Sequence, residues 1–173
     1  MSEKKIETLR WAEDHLEMID QRILPADFQY ISYNSAVSVA DGIRSMVVRG
    51  APAIGCAAAY GVALEALNLQ DAIMDEFSKG MEQAFKILLQ SRPTAINLFW
   101  AINRMRSKMN KNISLTPKKI SNTLLSEAHE ILSEDITINR KMGSFGAELL
   151  PDGARVLTHC NAGWLATIDW GTA

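Results

Sequence analysis

From Arg49 to Gly61 the chain reads Arg-Gly-Ala-Pro-Ala-Ile-Gly-Cys-Ala-Ala-Ala-Tyr-Gly, a stretch with few large side chains. Pro52 falls in the first turn of the helix that this pattern predicts, where its missing N–H costs nothing. Gly55 and Gly61 then stand inside the helix, and each costs about 0.5–1 kcal/mol against Ala. A helix that carries such residues is one that other backbone approaches closely. The near-apolar run continues to Leu69, but it holds Glu65, Asn68 and many Ala. It is too weakly hydrophobic for a membrane span.

Other elements are placed around this helix. A strand pair is expected at Leu16–Leu24 and Phe28–Tyr33, joined by a turn at Pro25-Ala26-Asp27. Asn34-Ser35 offers an N-cap for a helix carrying Val37, Val39, Ala40, Ile43 and Met46–Val47. Asp71–Gln90 has the helical period, with Ile73, Met74, Phe77, Met81, Ala84, Phe85 and Leu88 on one face, and Pro93 breaks it. Thr94 is placed to cap a helix from Ala95 to about Met109, and Thr116-Pro117 opens another. That helix runs to Ile136, and Ile138–Leu150 either continues it or follows a bend.

Near residue 150 the chain changes character. Pro151-Asp152-Gly153 is a turn, Ala154–His159 reads as a short strand, Cys160–Gly163 as a loop, and Leu165 opens a helix. The fold class expected is α/β (α+β). A mainly helical lobe with a small sheet spans residues 1–135, and the truncated start of a Rossmann-like lobe spans residues 136–173.

Composition narrows the function classes. Of 173 residues, 18 are Lys or Arg and 20 are Asp or Glu, for a net charge of −2, and 47% are hydrophobic. That balance excludes a disordered chain and a nucleic-acid binder working by bulk charge. The basic stretch Arg104, Arg106, Lys108, Lys111, Lys118 and Lys119 is read as a solvated helix end. Two cysteines, Cys56 and Cys160, make neither a disulfide scaffold nor a zinc spacing, so no metal is expected. Met1–Lys5 leads into a charged amphipathic stretch without an apolar signal core, and a cytoplasmic location is expected.

Three places can carry chemistry. Arg49 precedes a helix N-terminus whose free N–H groups and dipole attract phosphate, and its guanidinium adds a two-pronged donor. Arg92, in Ser91-Arg92-Pro93-Thr94, repeats the arrangement. For both, a solvated loop arginine is the plain alternative. Cys160 lies between a strand and a helix start, where a thiol turns acidic and reactive, against the commoner role of a small buried hydrophobe. Cys56 fits that buried role. Alternation along the strand sets His159 and Cys160 on opposite faces, which argues against a dyad between them. His15 and His129 lie in polar helical contexts and are expected at the surface.

Four segments together resemble a known family. Asp20-Gln21-Arg22-Ile23-Leu24-Pro25, Val48–Gly55, Ser91–Leu98 and Thr158-His159-Cys160-Asn161-Ala162-Gly163 are similar to the signatures of methylthioribose-1-phosphate isomerases. The wider family includes the regulatory alpha, beta and delta subunits of eukaryotic translation initiation factor 2B and ribose-1,5-bisphosphate isomerase. The likeness runs from about Trp11 to the end of the chain.

The resemblance implies an N-terminal lobe of helices and a small sheet and a C-terminal Rossmann-like lobe. It implies an aldose-to-ketose isomerisation in methionine salvage, from 5-methylthioribose 1-phosphate to 5-methylthioribulose 1-phosphate. Substrate contacts carry over to Arg49, Gly50, Ala51 and Arg92, and the family's active-site cysteine to Cys160. A small phosphosugar substrate, no cofactor, no nucleic acid, no membrane and a homodimer complete the expectation. The family's catalytic aspartate lies in the C-terminal lobe, and Asp169 does not match it. Trp164 and Ile168-Asp169-Trp170 interrupt the small-residue pattern that the family has after its cysteine. The chain is therefore expected to be an incomplete, inactive form in which residues after 151 lack a stable place. The alternative is a non-catalytic regulatory or interaction module of the initiation factor 2B type, which has no chemical need for the thiol of Cys160.

Overall fold

The structure, a computed structural model, describes residues 6–173; the reading of Met1–Lys5 lies outside the described residues. Leu9–Ala12 (β1), His15–Ile19 (β2) and Tyr30–Tyr33 (β3) form an antiparallel sheet in that order. Trp11 pairs with Leu16, and Met18 with Ile31. Alternation turns Leu16 and Met18 into the core. The strand pair is shorter than expected because Asp20 ends β2. Its carboxylate accepts from the Arg22 guanidinium at 2.8 and 2.7 Å and from the Arg22 backbone N–H at 3.1 Å, which fixes a turn. β1 gave no periodic signal, since four residues are too few to show one, and His15 begins β2 instead of lying in a helix.

Ala36–Arg44 (α1) starts as expected. Ser35 Oγ accepts from the Ser38 N–H at 3.2 Å, and Ser38 Oγ accepts from the Ser35 N–H. The helix stops at Arg44, and Met46 and Val47 fall beyond it. Ala51–Asn68 (α2) is the centre of the fold. Every residue from Ala53 to Leu64 is buried, and the helices Ala36–Arg44, Met74–Leu89, Ile96–Lys111 and Pro117–Ala147 all pack on it. A Cβ on Gly55 would stand 3.0 Å from the carbonyl oxygen of Asn97, the close backbone approach that the small residues announce.

Met74–Leu89 (α3) buries Phe77, Met81, Ala84, Phe85 and Leu88 of the face read from the sequence; Met74 is only partly buried, and Ile73, the residue before the helix, is exposed. Ile96–Lys111 (α4) has Ala95 as its N-cap and no side-chain cap, so Thr94 does not play the capping part expected of it. Pro117–Ala147 (α5) is one unbroken helix that continues through residues 135 and 136, and Thr116 precedes it without capping it through its side chain. The basic stretch on α4 is paired: Arg104 Nε donates to Glu127 at 2.6 Å and its terminal nitrogens reach Glu134, while Lys108 Nζ lies 2.7 Å from Glu127. These pairs brace α4 against α5.

The mainly helical lobe with a small sheet is the architecture expected. Three local expectations after residue 150 are corrected. Ala154–His159 forms no strand; Leu157 is 97% exposed, and the segment has no neighbouring strand to satisfy its N–H and C=O groups. Leu165 opens no helix, only a single 3₁₀ turn, Trp164–Ala166. The segment that follows does have a place: Ala166, Thr167 and Ile168 are buried against the helical lobe.

Candidate active site

Four of the five described α-helices start without a side-chain cap, α2 and α4 among them. A helix start leaves its first N–H groups without intrahelical partners. Among the described residues, those of Ala51 and Ala53 on α2 and of Ile96 and Asn97 on α4 have no acceptor. The two helices are neighbours, and both starts open into one cleft of about 760 Å³. Gly50 is the α2 N-cap at φ 102°, a conformation that favours glycine. Pro52 follows in the first turn, as the sequence predicts.

Arg49, Gly50, Ala51, Arg92 and Cys160 all line this cleft. Five residues from three separate parts of the chain, each singled out in the sequence, are therefore brought together. Among the described residues neither Arg49 nor Arg92 has a carboxylate partner, and no carboxylate lines the cleft. Two unpaired guanidinium groups and two positive helix ends make it attractive to an anion. Cys160 is exposed there, with its backbone at φ 66°, in the left-handed region. A non-glycine residue held in that conformation is a feature that gathers at functional sites. His159 does not line the cleft; with no strand, the alternation expected of it and Cys160 has no basis.

The other cysteine contrasts with it. Cys56 is buried inside α2, and burial pushes its thiol well above the ordinary range. His129 is exposed, as expected, with its Nδ1 2.8 Å from the Tyr60 hydroxyl, and partial desolvation lowers its pKa.

A second cavity, of about 440 Å³, adjoins the first and shares Ile96 and Asn97 with it. Trp100, Ile131, Ile138 and Met142 give it an apolar lining. Asp135 also borders it. Burial raises the pKa of this carboxyl, against the hydrogen bond it accepts from the Ile168 N–H at 3.0 Å. Sequence reasoning missed Asn97, although it stands in the quoted Ser91–Leu98 segment; helical periodicity alone does not show that one helix start faces another. Among the described residues no cluster of three His, Cys, Asp or Glu side chains is arranged to hold a metal, and no helix is long and apolar enough to cross a membrane.

The sequence model of the Initiation factor 2 subunit family matches residues 47–168, a span that contains Arg49, Gly50, Ala51, Arg92 and Cys160. The chain belongs to this family. The family member is 60% identical to a protein named methylthioribose-1-phosphate isomerase from Albidiferax ferrireducens, over 97% of this chain and 48% of that relative. It is 48% identical to one of the same name from Thermosipho africanus, over 98% of this chain and 48% of that relative. Among solved structures it superposes on 5-methylthioribose 1-phosphate isomerase from Pyrococcus horikoshii with a TM-score of 0.91 and 42% identity, covering 97% of this chain and 47% of that one. It superposes on translation initiation factor eIF-2B, subunit delta, from A. fulgidus with a TM-score of 0.86 and 41% identity, covering 96% of this chain and 48% of that one. The family member thus spans about half the length of the curated relatives it matches.

Proposed function

We propose that this family member provides the phosphate-binding and cysteine-bearing half of an aldose–ketose isomerase that converts 5-methylthioribose 1-phosphate to 5-methylthioribulose 1-phosphate in the cytoplasm. The observation that carries the reading is the convergence of Arg49, Arg92, two uncapped helix starts and Cys160 on one cleft. The names of the relatives supply the substrate.

The chemistry suits these residues. Arg49 and Arg92 hold the 1-phosphate, with the N–H groups of Ala51, Ile96 and Asn97 adding dipole and hydrogen bonds. The phosphate caps the anomeric oxygen, so the ring opens only with acid assistance. Cys160 lies in the same cleft and is the acid–base group for that proton traffic. The isomerisation then moves hydrogen from C2 to C1 with no net oxidation. A second group must take the other end of that transfer, and no carboxylate of the cleft does so.

The test is titration calorimetry of the 173-residue protein with 5-methylthioribose 1-phosphate. Binding that inorganic phosphate competes away, and that Arg92→Ala weakens roughly tenfold, supports the reading. Absence of binding overturns it. A second reading, a non-catalytic module, draws on the likeness to the A. fulgidus subunit. It predicts that Cys160→Ala changes no turnover in the protein joined to a relative's remaining half, whereas the isomerase reading predicts its loss.

A further inference from the structure

The Asp20-Gln21-Arg22 segment takes no part in the chemistry above, yet Gln21 is buried. The Asp20–Arg22 ion pair at 2.7 Å fixes the turn after β2 and with it the residue in between. The Gln21 backbone N–H donates to the Val47 carbonyl at 3.0 Å, just ahead of Arg49. Its side-chain Nε2 donates to the Leu165 carbonyl at 2.8 Å, shortly after Cys160. One buried residue therefore bonds both chain segments that bring charge and thiol to the cleft. Because a carbonyl only accepts, the donor end of the amide must face Leu165, which leaves Oε1 buried and without a partner. The segment is held from other sides too. Thr8 Oγ1 donates to the Trp164 carbonyl at 2.9 Å, and Arg140 Nε donates to Asp169 at 2.9 Å.

We propose that Gln21 is a positioning residue that ties the Arg49 loop to the segment carrying Cys160, so that the thiol stays within reach of an anion held by the arginines. The proposal rests on the anion-site reading of the cleft. Gln21 touches no substrate; it acts through Val47 and Leu165. A residue that merely fills space would be replaced without consequence by one of equal volume, and that is the basis of the test.

The experiment uses the 173-residue protein, Gln21→Met, which keeps the side-chain length, and Thr8→Val, which keeps the shape but loses the hydroxyl. Cys160 alkylation by iodoacetamide is timed with and without inorganic phosphate, and phosphate affinity is measured by calorimetry. In the parent, phosphate slows alkylation at least about threefold; in Gln21→Met the protection disappears while phosphate affinity stays within about threefold. Hydrogen exchange supplies the second readout. Amides of Ala166–Ile168 should speed up in both variants, and that of Ile54 in Gln21→Met, with those of α3 unchanged. Full phosphate protection in Gln21→Met, or unchanged exchange of Ala166–Ile168 or of Ile54 in that variant, overturns the proposal. If the parent binds no phosphate, the anion-site reading fails instead, and the exchange measurement still decides whether Gln21 makes the tie.

Discussion

Gly50 and Ala166 lie in direct contact: a Cβ on Gly50 would fall 2.4 Å from the Ala166 Cα and 2.5 Å from its Cβ. They are far apart in sequence, and each borders a functional segment. Gly50 starts the central helix beside Arg49, and Ala166 closes the turn that follows Cys160. The lack of a side chain at Gly50 serves two needs at once, the left-handed backbone and the room for the docked segment.

Gly50→Ala should therefore do two kinds of harm. The strained backbone and the overlap with Ala166 together predict a loss of about 1–3 kcal/mol in unfolding free energy. Urea titration checks this, and phosphate affinity measured in parallel should fall. A variant within about 0.5 kcal/mol of the parent would show that the contact relaxes without cost.

Arg49→Ala and Arg92→Ala should each weaken phosphate binding by roughly tenfold, since a charge-assisted hydrogen bond contributes about 1.5–3 kcal/mol. The double variant should bind no more tightly than an uncharged cleft, and raising the salt should weaken the parent far more than the double variant. Equal salt dependence in the two proteins would place phosphate elsewhere.

Cys160 should react with iodoacetamide at least about a hundred times faster than Cys56, because Cys56 becomes accessible only through opening of the core. Its thiol is buried and held in the neutral form, whereas that of Cys160 is exposed. Mass spectrometry of peptides from partly labelled protein gives the ratio, and comparable labelling of both would contradict the packing of α2.

Asp135 sets a pH dependence of definite sign. Burial raises its folded-state pKa above the unfolded value. The folded protein thus binds this proton more tightly than the unfolded chain does, and the favourable contribution of the acid form is lost as pH rises through the folded pKa. Asp135→Asn keeps an acceptor for the Ile168 N–H and removes the charge. It should be more stable than the parent at pH 7, with the difference closing near pH 3, where the parent is protonated in both states. Chemical unfolding across that range gives the answer; a variant less stable at pH 7 would mean that the ionised form is preferred in the fold.

Turnover is a separate matter from binding. With no carboxylate lining the cleft, this chain assayed alone should bind 5-methylthioribose 1-phosphate and not isomerise it. A missing acid–base partner typically costs about 10²–10⁴-fold in rate. Product formation by the purified chain, monitored by NMR, would show that a second proton-transfer group is already present.

Much of this was written in local sequence. The small residues of α2 announced close approach, Ser35 announced the start of α1, and the spacing from Phe77 to Leu88 announced the buried face of α3, because each depends on contacts within a few residues or on one repeating period. Arg49, Gly50, Ala51, Arg92 and Cys160 were legible as helix-start arginines, a small-residue turn and a cysteine in a loop. Their meeting was not, since only the packing of α4 against α2 brings the two helix starts to one opening. Local pattern also misled. Ala154–His159 has the composition of a strand, but a strand exists only where a neighbour takes its hydrogen bonds, and none lies beside it here. Ala166–Ile168, read as the start of a helix, is instead buried against the lobe: Thr8 and Gln21 bond the preceding Trp164 and Leu165 carbonyls, and Asp135 accepts from the Ile168 N–H. The sequence by itself determined which residues can form helices and attract an anion. Tertiary structure decided which of them face one another, because long-range hydrogen bonds and close packing leave no period in a single chain.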